Sequence, residues 1–271
     1  MKTAIQNIRL VIVLVITILT GCKNDEKVEF TDSPIIESYL KPGNYFNVNI
    51  TRQIPFSLNA VYSTDDVNNL AITLSYNNLS HILTPLGNGQ YIDSLIQVTE
   101  GAHFNLSFLY NSKTVTAYTY IPSKPVNMKR SASQIIIPRM DSTSFPTMGD
   151  MPEPVKITWD NNDGSYYLII VENLESTLDP IRDFGDAEPP DNIFRKSPTN
   201  SNTEELSPMD FQYYGTHRIV LYHVLPDYAS LYDQNTSSSQ NLTNPSTSIV
   251  NGYGIFTGLN SATLYIEVKE E

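Results

Sequence analysis

Cys22, the only cysteine of the chain, is the side chain best suited to covalent modification, because a thiol reacts as a nucleophile through its thiolate. It follows a leader in which Lys2 and Arg9 are the basic residues and residues 10–19 are almost entirely Leu, Ile and Val. A basic start and a short apolar stretch are typical of a secretory signal, and this stretch is too short to span a membrane comfortably. Residues 1–21 are therefore predicted to be a signal peptide.

The residues before the cysteine resemble the lipobox of bacterial lipoproteins. Leu19, Thr20 and Gly21 lead directly into Cys22, and in such lipoproteins the leader is cut before the cysteine, whose thiol carries acyl chains such as palmitate. The alternative is an ordinary buried thiol, which is disfavoured because the charged run that follows is too polar to cover a core position. We expect an acylated cysteine followed by a tether, together residues 22–30.

The first residues after the cysteine resemble the surface-export signal of Bacteroidota lipoproteins. Lys23, Asp25 and Glu26 supply a lysine and two acidic residues beside the anchor. A motif this short does not exclude an anchor that faces the periplasm, but it favours display outside the cell. The expected location is the outer membrane, lipid-anchored and facing the cell surface.

Composition excludes some classes of protein and favours one fold class. The formal charge of −12 becomes −14 when the leader with Lys2 and Arg9 is removed. A chain this acidic, without a basic stripe, is not expected to bind nucleic acid. The 17 tyrosines, together with many β-branched, Asn and Ser residues, favour an all-β protein.

Alternation of apolar and polar residues predicts the strands of a first domain. Residues 46–51 alternate strictly, which gives one apolar and one wet face. Residues 104–110 and 115–121 alternate on either side of a short Asn-Ser-Lys turn, as in a hairpin. Residues 31–122 are therefore predicted to form an N-terminal antiparallel β-sandwich.

A second domain is predicted after a proline-rich linker and loop, residues 123–154. A strand that ends in Trp159, a turn and a Tyr-rich strand resemble strands B and C of fibronectin type III domains. Residues 155–271 are predicted to form this sandwich, with a long polar loop at 176–210 and a short helix beginning at residues 226–228. The predicted fold is all-β: two antiparallel, immunoglobulin- or fibronectin III-like β-sandwiches with one short helix in the second.

Several stretches resemble an uncharacterised family of Bacteroidota outer-membrane lipoproteins, a domain of unknown function. The matching stretches are residues 48–52 with 55–56, 83–91, 98–101, 113–117 and, above all, the glycine-rich 251–258. The resemblance implies an accessory role, because such proteins are often encoded beside TonB-dependent outer-membrane transporters. It implies no catalytic residue.

The histidines and one Asn/Asp turn are the residues whose types could form a metal site. The four histidines are His81, His103, His217 and His223. The last two would lie about 20 Å apart on a regular strand, too far for one zinc ion, and local hydrogen bonds or solvent exposure are expected instead. The turn at 160–164 places Trp159 where a calcium loop needs a carboxylate, so it is predicted to be a hairpin turn.

The acidic stretch 179–188 leaves three alternatives open. It is predicted to be a solvated loop; the alternatives are a calcium site formed by its carboxylates and a pair of glycosidase carboxylates. No nucleophile elbow, catalytic cysteine, metalloprotease motif or phosphate-binding loop is present in the sequence. We expect no cofactor and no enzymatic activity.

Tyrosines are the strongest candidates for recognition, because each offers an apolar face and a hydroxyl. The second domain has more of them than its core needs: Tyr213, Tyr214, Tyr222, Tyr228, Tyr232 and Tyr253. The predicted helix and the glycine-rich segment are the candidate partner-facing region. Its residues are Tyr228, Tyr232, Gly252, Tyr253, Gly254 and Phe256.

These observations predict a non-enzymatic surface lipoprotein that serves as an accessory or ligand-binding partner of a TonB-dependent transporter. The alternative is a free-standing adhesin that binds a glycan, a peptide or a protein. A row of exposed tyrosines on one sheet face would favour the adhesin, whereas a broad apolar patch with a polar rim would favour the transporter partner.

We expect Cys22→Ser to abolish acylation and to leave an uncleaved or mis-sorted precursor, because the thiol is the site of lipid attachment. Metabolic labelling with a fatty acid followed by gel electrophoresis measures this directly. The wild-type protein should give a labelled band and the variant none; normal labelling of the variant would contradict the lipobox prediction.

Overall fold

The computed structural model describes residues 32–54, 67–140, 151–185, 187–232 and 247–271. The predicted signal peptide, lipobox, tether and export-like residues lie outside these ranges. Over the described residues the chain is all-β, with sixteen strands, one short α-helix and one 3-10 turn. None of the described helices is long and apolar enough to cross a bilayer.

The first eight strands form a β-sandwich. They are β1 (Pro34–Leu40), β2 (Tyr45–Arg52), β3 (Thr73–Tyr76), β4 (Leu79–Ile82), β5 (Thr84–Gly87), β6 (Gln90–Gln97), β7 (His103–Tyr110) and β8 (Lys113–Tyr120). One sheet has the order β5–β6–β2–β1 and the other β4–β3–β7–β8. Lettered in chain order, this is the ABED and C′CFG division of an immunoglobulin-like sandwich.

The predicted alternation sets the core of this sandwich. Phe46, Val48 and Ile50 are buried, and so is every second residue of β7 and, from Val115 onward, of β8. The rings of Phe46 and Phe104 lie 5.6 Å apart across the two sheets. Asn111 and Ser112 join β7 to β8 with positive φ angles, as the favoured two-residue hairpin turn requires. The predicted hairpin is confirmed.

The second sandwich also consists of two facing sheets. They are β9 (Lys129–Arg130), β10 (Gln134–Ile137), β11 (Val155–Thr158), β12 (Tyr166–Asn173), β13 (Ile193–Arg195), β14 (Thr203–Leu206), β15 (Gly215–Val224) and β16 (Tyr253–Glu270), with helix α1 (Pro226–Ser230) after β15. One sheet is β14–β11–β9; the other is β13–β12–β15–β16, with β10 beside β16. Trp159 lies between them, buried, with its ring 5.5 Å from that of Tyr167.

Strand β16 belongs to both sandwiches. Its first residues pair in parallel with β1, from Tyr253 opposite Ile35 to Gly258 opposite Leu40. Its later residues pair antiparallel with β15, from Leu259 onward. The assignment of residues 155–271 to the second sandwich alone is corrected by this pairing, because β16 extends the first sheet and places Phe256 in the first core.

Two predicted loops contain strands. The linker 123–154 includes β9 and β10, and the polar loop 176–210 includes β13, β14 and the 3-10 turn Pro208–Asp210. These strands have two to four residues, so alternation has no length over which to appear. They matter to the fold, because β9 and β14 are the two neighbours of β11.

The turn at 160–164 is also corrected. It does not close a hairpin, because β11 and β12 lie in different sheets. It crosses from one sheet to the other, as the connection between strands B and C does in this architecture. Asn161 holds it by donating from Nδ2 to the carbonyl oxygens of Ser165, Asn200 and Ser201 at 2.8–3.1 Å.

We expect Gly258→Ala to destabilise the protein by about 1–3 kcal/mol, the usual cost of overpacking. A Cβ at Gly258 would lie 2.1 Å from the carbonyl oxygen of Tyr120, where β16 passes the end of β8. Urea unfolding measures the loss. Thr263→Ala, at an exposed position of the same strand, is the control; equal midpoints for the two variants would contradict the close approach.

Candidate functional site

The six candidate partner-facing residues separate into two groups. Tyr228 and Tyr232 line a surface groove. Phe256 does not face a partner, because it is fully buried with its ring 6.2 Å from that of Phe46. Gly254 is needed inside the sheet, since its φ is +102° and a Cβ there would lie 2.1 Å from the carbonyl oxygen of Ile36.

The other two members of that segment differ from each other. A Cβ at Gly252 would lie 3.1 Å from the carbonyl oxygen of Pro34, so the residue permits a close backbone approach. Tyr253 has an exposed side chain at the start of β16. The prediction that this segment faces a partner is therefore corrected for Gly254 and Phe256, which serve the sheet and the first core. For Gly252 and Tyr253 it stays a prediction.

The groove lies on the outer face of the nine-stranded sheet, and we call it the tyrosine groove. Five neighbouring strands, β13, β12, β15, β16 and β1, contribute one or two side chains each, and α1 covers one side. It encloses about 340 Å³, within the range of small-ligand sites. Its lining residues are Tyr39, Lys41, Leu168, Ile170, Arg195, Tyr222, Val224, Tyr228, Tyr232 and Leu259.

Strand periodicity explains how these side chains meet. In β12, Tyr167, Ile169 and Val171 face the second core, so Leu168 and Ile170 point to the opposite face. In β1, Tyr39 alternates with the buried Ser38 and Leu40 and therefore points outward. The apolar character of β12 on both faces, visible in the sequence, thus reflects a second apolar cluster beneath the groove.

Helix α1 is held against the sheet by Asp227. One carboxylate oxygen of Asp227 accepts hydrogen bonds from the hydroxyl of Thr257 at 3.0 Å and from the backbone N–H of Tyr228 at 2.8 Å. The helix begins with Pro226, whose fixed φ suits a first turn. These contacts fix the direction in which Tyr228 enters the groove.

Three tyrosine rings form a connected wall. Tyr39 meets Tyr228 edge to face, with centroids 6.1 Å apart and an interplanar angle of 78°. Tyr228 lies 5.8 Å from Tyr232, and their hydroxyl oxygens are 3.4 Å apart. Edge-to-face pairs are a favoured arrangement for aromatic rings. Tyr39 is 38% exposed, so part of this wall is open to a ligand.

The hydroxyls of Tyr39 and Tyr228 stay protonated at physiological pH. Burial raises the pKa of Tyr228, as does its hydrogen bond with Tyr232. Burial also raises the pKa of Tyr39, and the nearby Glu37 carboxylate adds to the effect. No described lining residue is a carboxylate, so the groove offers hydroxyls, ring faces and cations and contains no acid–base pair of the glycosidase type.

A second aromatic surface lies on the other side of α1. Tyr118 and Tyr120 project from β8 with 43% and 39% of their surface exposed. The ring of His103 lies 5.9 Å from that of Tyr118 and 5.8 Å from that of Tyr120, and His103 Nδ1 is 2.6 Å from the Tyr118 hydroxyl. A cavity of about 330 Å³ separates these tyrosines from Asp227.

The remaining tyrosine candidates serve the core. Tyr214 is buried and donates from its hydroxyl to the carbonyl oxygen of Ile137 at 3.1 Å. Tyr213 is buried and donates to the carbonyl oxygen of Pro190. Of the six tyrosines singled out in the second domain, three line the groove: Tyr222, Tyr228 and Tyr232.

The histidines bond locally. His217 and His223 are both buried on the core face of β15, and His223 Nδ1 lies 2.8 Å from the carbonyl oxygen of Ser123. His81 Nδ1 lies 3.1 Å from a carboxylate oxygen of Asp93. Among the described residues, no group of three or more His, Cys, Asp or Glu side chains is arranged to hold a metal ion.

The acidic stretch 179–188 is partly neutralised within the protein. Both carboxylate oxygens of Asp179 accept from the guanidinium of Arg139 at 3.0 Å, and the same guanidinium binds Glu270 at 2.7 and 2.9 Å. Asp183 accepts from the backbone N–H of Gly185 at 2.8 Å. Asp186 lies outside the described residues.

Sequence reasoning missed the contribution of the first sandwich to the groove. Tyr39 and Lys41 come from the end of β1, and Arg195 comes from β13. Their meeting with Tyr228 depends on the pairing of β1 with β16, whose residues are more than 200 positions apart. A local pattern carries no signal for such a contact, although the outward alternation of Glu37, Tyr39 and Lys41 was available.

Comparison with known proteins adds little to this geometry. The chain matches no model of a known protein family and no curated protein. Among solved structures it is similar to Salmonella alpha-2-macroglobulin reacted with methylamine, at 7% identity and a TM-score of 0.23. That match covers 88% of this chain and 15% of the macroglobulin, so this chain spans a small part of that protein's length.

We expect the stability of the protein to fall as the pH drops below about 6.5, in part because of His217. Its Nδ1–H donates to the carbonyl oxygen of Gly215 at 3.0 Å, and its Nε2 accepts from Asn173 at 3.3 Å, so the native ring is neutral. Burial lowers its pKa below 6.5. The unfolded chain therefore binds a proton that the folded chain excludes, with a slope of up to about 1.4 kcal/mol per pH unit.

Urea unfolding between pH 7.5 and pH 5 measures this slope, with His217→Gln expected to flatten it. The comparison with a variant is needed because burial raises the pKa of Asp227, which acts in the opposite direction at acid pH. Thr263→Ala, which removes no titratable group and lies at an exposed position, should keep the wild-type slope. An unchanged slope in His217→Gln would contradict the assignment.

Proposed function

We propose that this protein is a non-enzymatic, lipid-anchored outer-membrane protein that faces the cell surface and binds a ligand in the tyrosine groove as an accessory of a TonB-dependent transporter. The observation that supports ligand binding is the tyrosine groove. Its rings, cations and neutral hydroxyls suit recognition, and its lining carries no catalytic pair among the described residues.

The anchored location rests on the sequence. The leader, the box that ends at Cys22 and the residues after it fit a lipoprotein that is exported to the surface. The transporter partnership rests on the resemblance to Bacteroidota outer-membrane lipoproteins. A ligand-binding domain held close to a transporter raises the local concentration of ligand at its mouth, as any tethered binding module does.

One observation favours the alternative of a free-standing adhesin. Tyr118, Tyr120 and His103 form an exposed aromatic row on the outer face of one sheet, and such a row can contact an extended ligand without a transporter. The adhesin and the accessory protein differ in whether a stable membrane partner exists.

We expect a pull-down of the tagged, acylated protein in mild detergent to recover a TonB-dependent transporter in a near-stoichiometric amount. Mass spectrometry of the eluate identifies and quantifies the partner. A second acylated lipoprotein, purified from the same membrane in the same way, is the control for non-specific capture. Recovery of this protein alone would contradict the transporter partnership and favour the free-standing adhesin.

A further inference from the structure

The charged side chains that line the tyrosine groove are basic although the protein as a whole is acidic, and one carboxylate, that of Glu37, lies beside the groove next to Tyr39. The chain has a formal charge of −12, yet the charged side chains that line the groove are Lys41 and Arg195. Neither makes an ion pair with a described carboxylate. Lys41 Nζ instead lies 5.0 Å from the ring centroid of Tyr222, which leaves its charge free for a ligand.

The groove continues into a second cavity of about 410 Å³. The two share Lys41, Tyr222 and Leu259, so the lysine stands where they meet, and the second adds Lys124. The one carboxylate there, that of Glu100, accepts from the side chain of Asn260 at 3.0 Å and from a backbone N–H at 3.1 Å. Together the cavities can receive a ligand of several rings with spaced negative charges.

The surrounding backbone disfavours an extended acidic peptide. Peptides that lie along a sheet gain affinity by pairing with a free strand edge. Of the five strands that line the groove, β12, β15, β16 and β1 each have neighbours on both sides in the sheet. The fifth, β13, is an edge strand but has only three residues, which offers little edge for a peptide to pair with. A ligand must therefore be held by side chains: ring faces, neutral hydroxyls and two cations.

A saccharide matches those side chains. The C–H face of a pyranose ring is apolar and packs on an aromatic face, while its hydroxyls pair with tyrosine hydroxyls. Carboxylate or sulfate groups along the chain supply the partners for Lys41 and Arg195, and guanidinium groups bind such groups in a bidentate manner.

We propose that the tyrosine groove binds an acidic oligosaccharide, its sugar rings on Tyr39 and Tyr228 and its anionic groups on Lys41 and Arg195. This inference rests on the proposed ligand-binding function and names the ligand class of the same site. Carboxylate-bearing and sulfate-bearing saccharides share this chemistry and are separated by the test.

The inference is tested by isothermal titration calorimetry, in which defined tetrasaccharides are titrated into the acylated protein in detergent. The acidic probes are β-1,4-tetramannuronate, tetragalacturonate, and chondroitin sulfate and heparin tetrasaccharides. The neutral probe is β-1,4-mannotetraose, which differs from tetramannuronate in lacking the carboxylates. At least one acidic probe should bind about tenfold more tightly than the neutral one at low salt and weaken several-fold in 0.5 M NaCl.

Variants assign the binding to the groove. Lys41→Gln with Arg195→Gln should weaken the acidic probe about tenfold, whereas Lys113→Gln with Lys129→Gln, at exposed lysines that do not line the groove, should leave it unchanged. Tyr228→Ala should weaken acidic and neutral probes alike. Equal affinity for acidic and neutral probes, or for a hexaglutamate peptide, would overturn the acidic-saccharide assignment.

These outcomes separate the inference from the proposed function. Tyrosine-dependent binding of the neutral probe alone, with the transporter recovered in the pull-down, would keep the accessory role and overturn the charge specificity. Failure of every probe to bind would overturn the acidic-saccharide assignment, and the pull-down would then decide by itself whether the accessory role stands.

Discussion

The hydrogen bonds along β16 are the constraint on which the rest of this structure depends. An 18-residue strand is more than three times the usual length, and here one end completes the first sandwich while the other completes the second. Gly254 and Gly258 allow it to lie against the backbone of β1 and the end of β8. Since a Cβ at either position would collide with a carbonyl oxygen, the join between the sandwiches is specified by two residues that have no side chain.

The groove is a product of that join. Tyr39 and Lys41 belong to the first sandwich, whereas Tyr222 and Tyr228 belong to the second. The sheet that runs from β13 to β1 presents one outer face, and the apolar residues of β12 and β15 on that face need cover. Helix α1 gives part of the cover. The part of this face that α1 leaves uncovered is apolar and aromatic, so an apolar ring of a ligand would displace water from it at little cost.

Much of the fold could be predicted from local patterns, and the failures share one physical cause. Strict alternation identified β2, β7 and β8 with the correct inward faces, and Trp159 identified the second core. The strands that were missed, β9, β10, β13 and β14, have two to four residues and are too short to show a period. Phe256 was expected at the surface because glycines surround it. Its burial follows from pairing with a strand more than 200 residues away. The tyrosine groove could not be predicted from the sequence for the same reason, because it depends on the same long-range pairing.

The position of β1 has a mechanical consequence. It is the first strand of the described residues, it pairs with β16 over residues 35–40 and with β2 over residues 34–37, and Tyr39 lies near its far end with Lys41 just beyond it. A force along the axis of this strand acts on the hydrogen bonds of both ladders in shear, so that they bear the load together. A strand pulled at right angles to its neighbours would instead lose its hydrogen bonds one at a time. The strand that contributes Tyr39 to the groove is therefore held most firmly along its own axis.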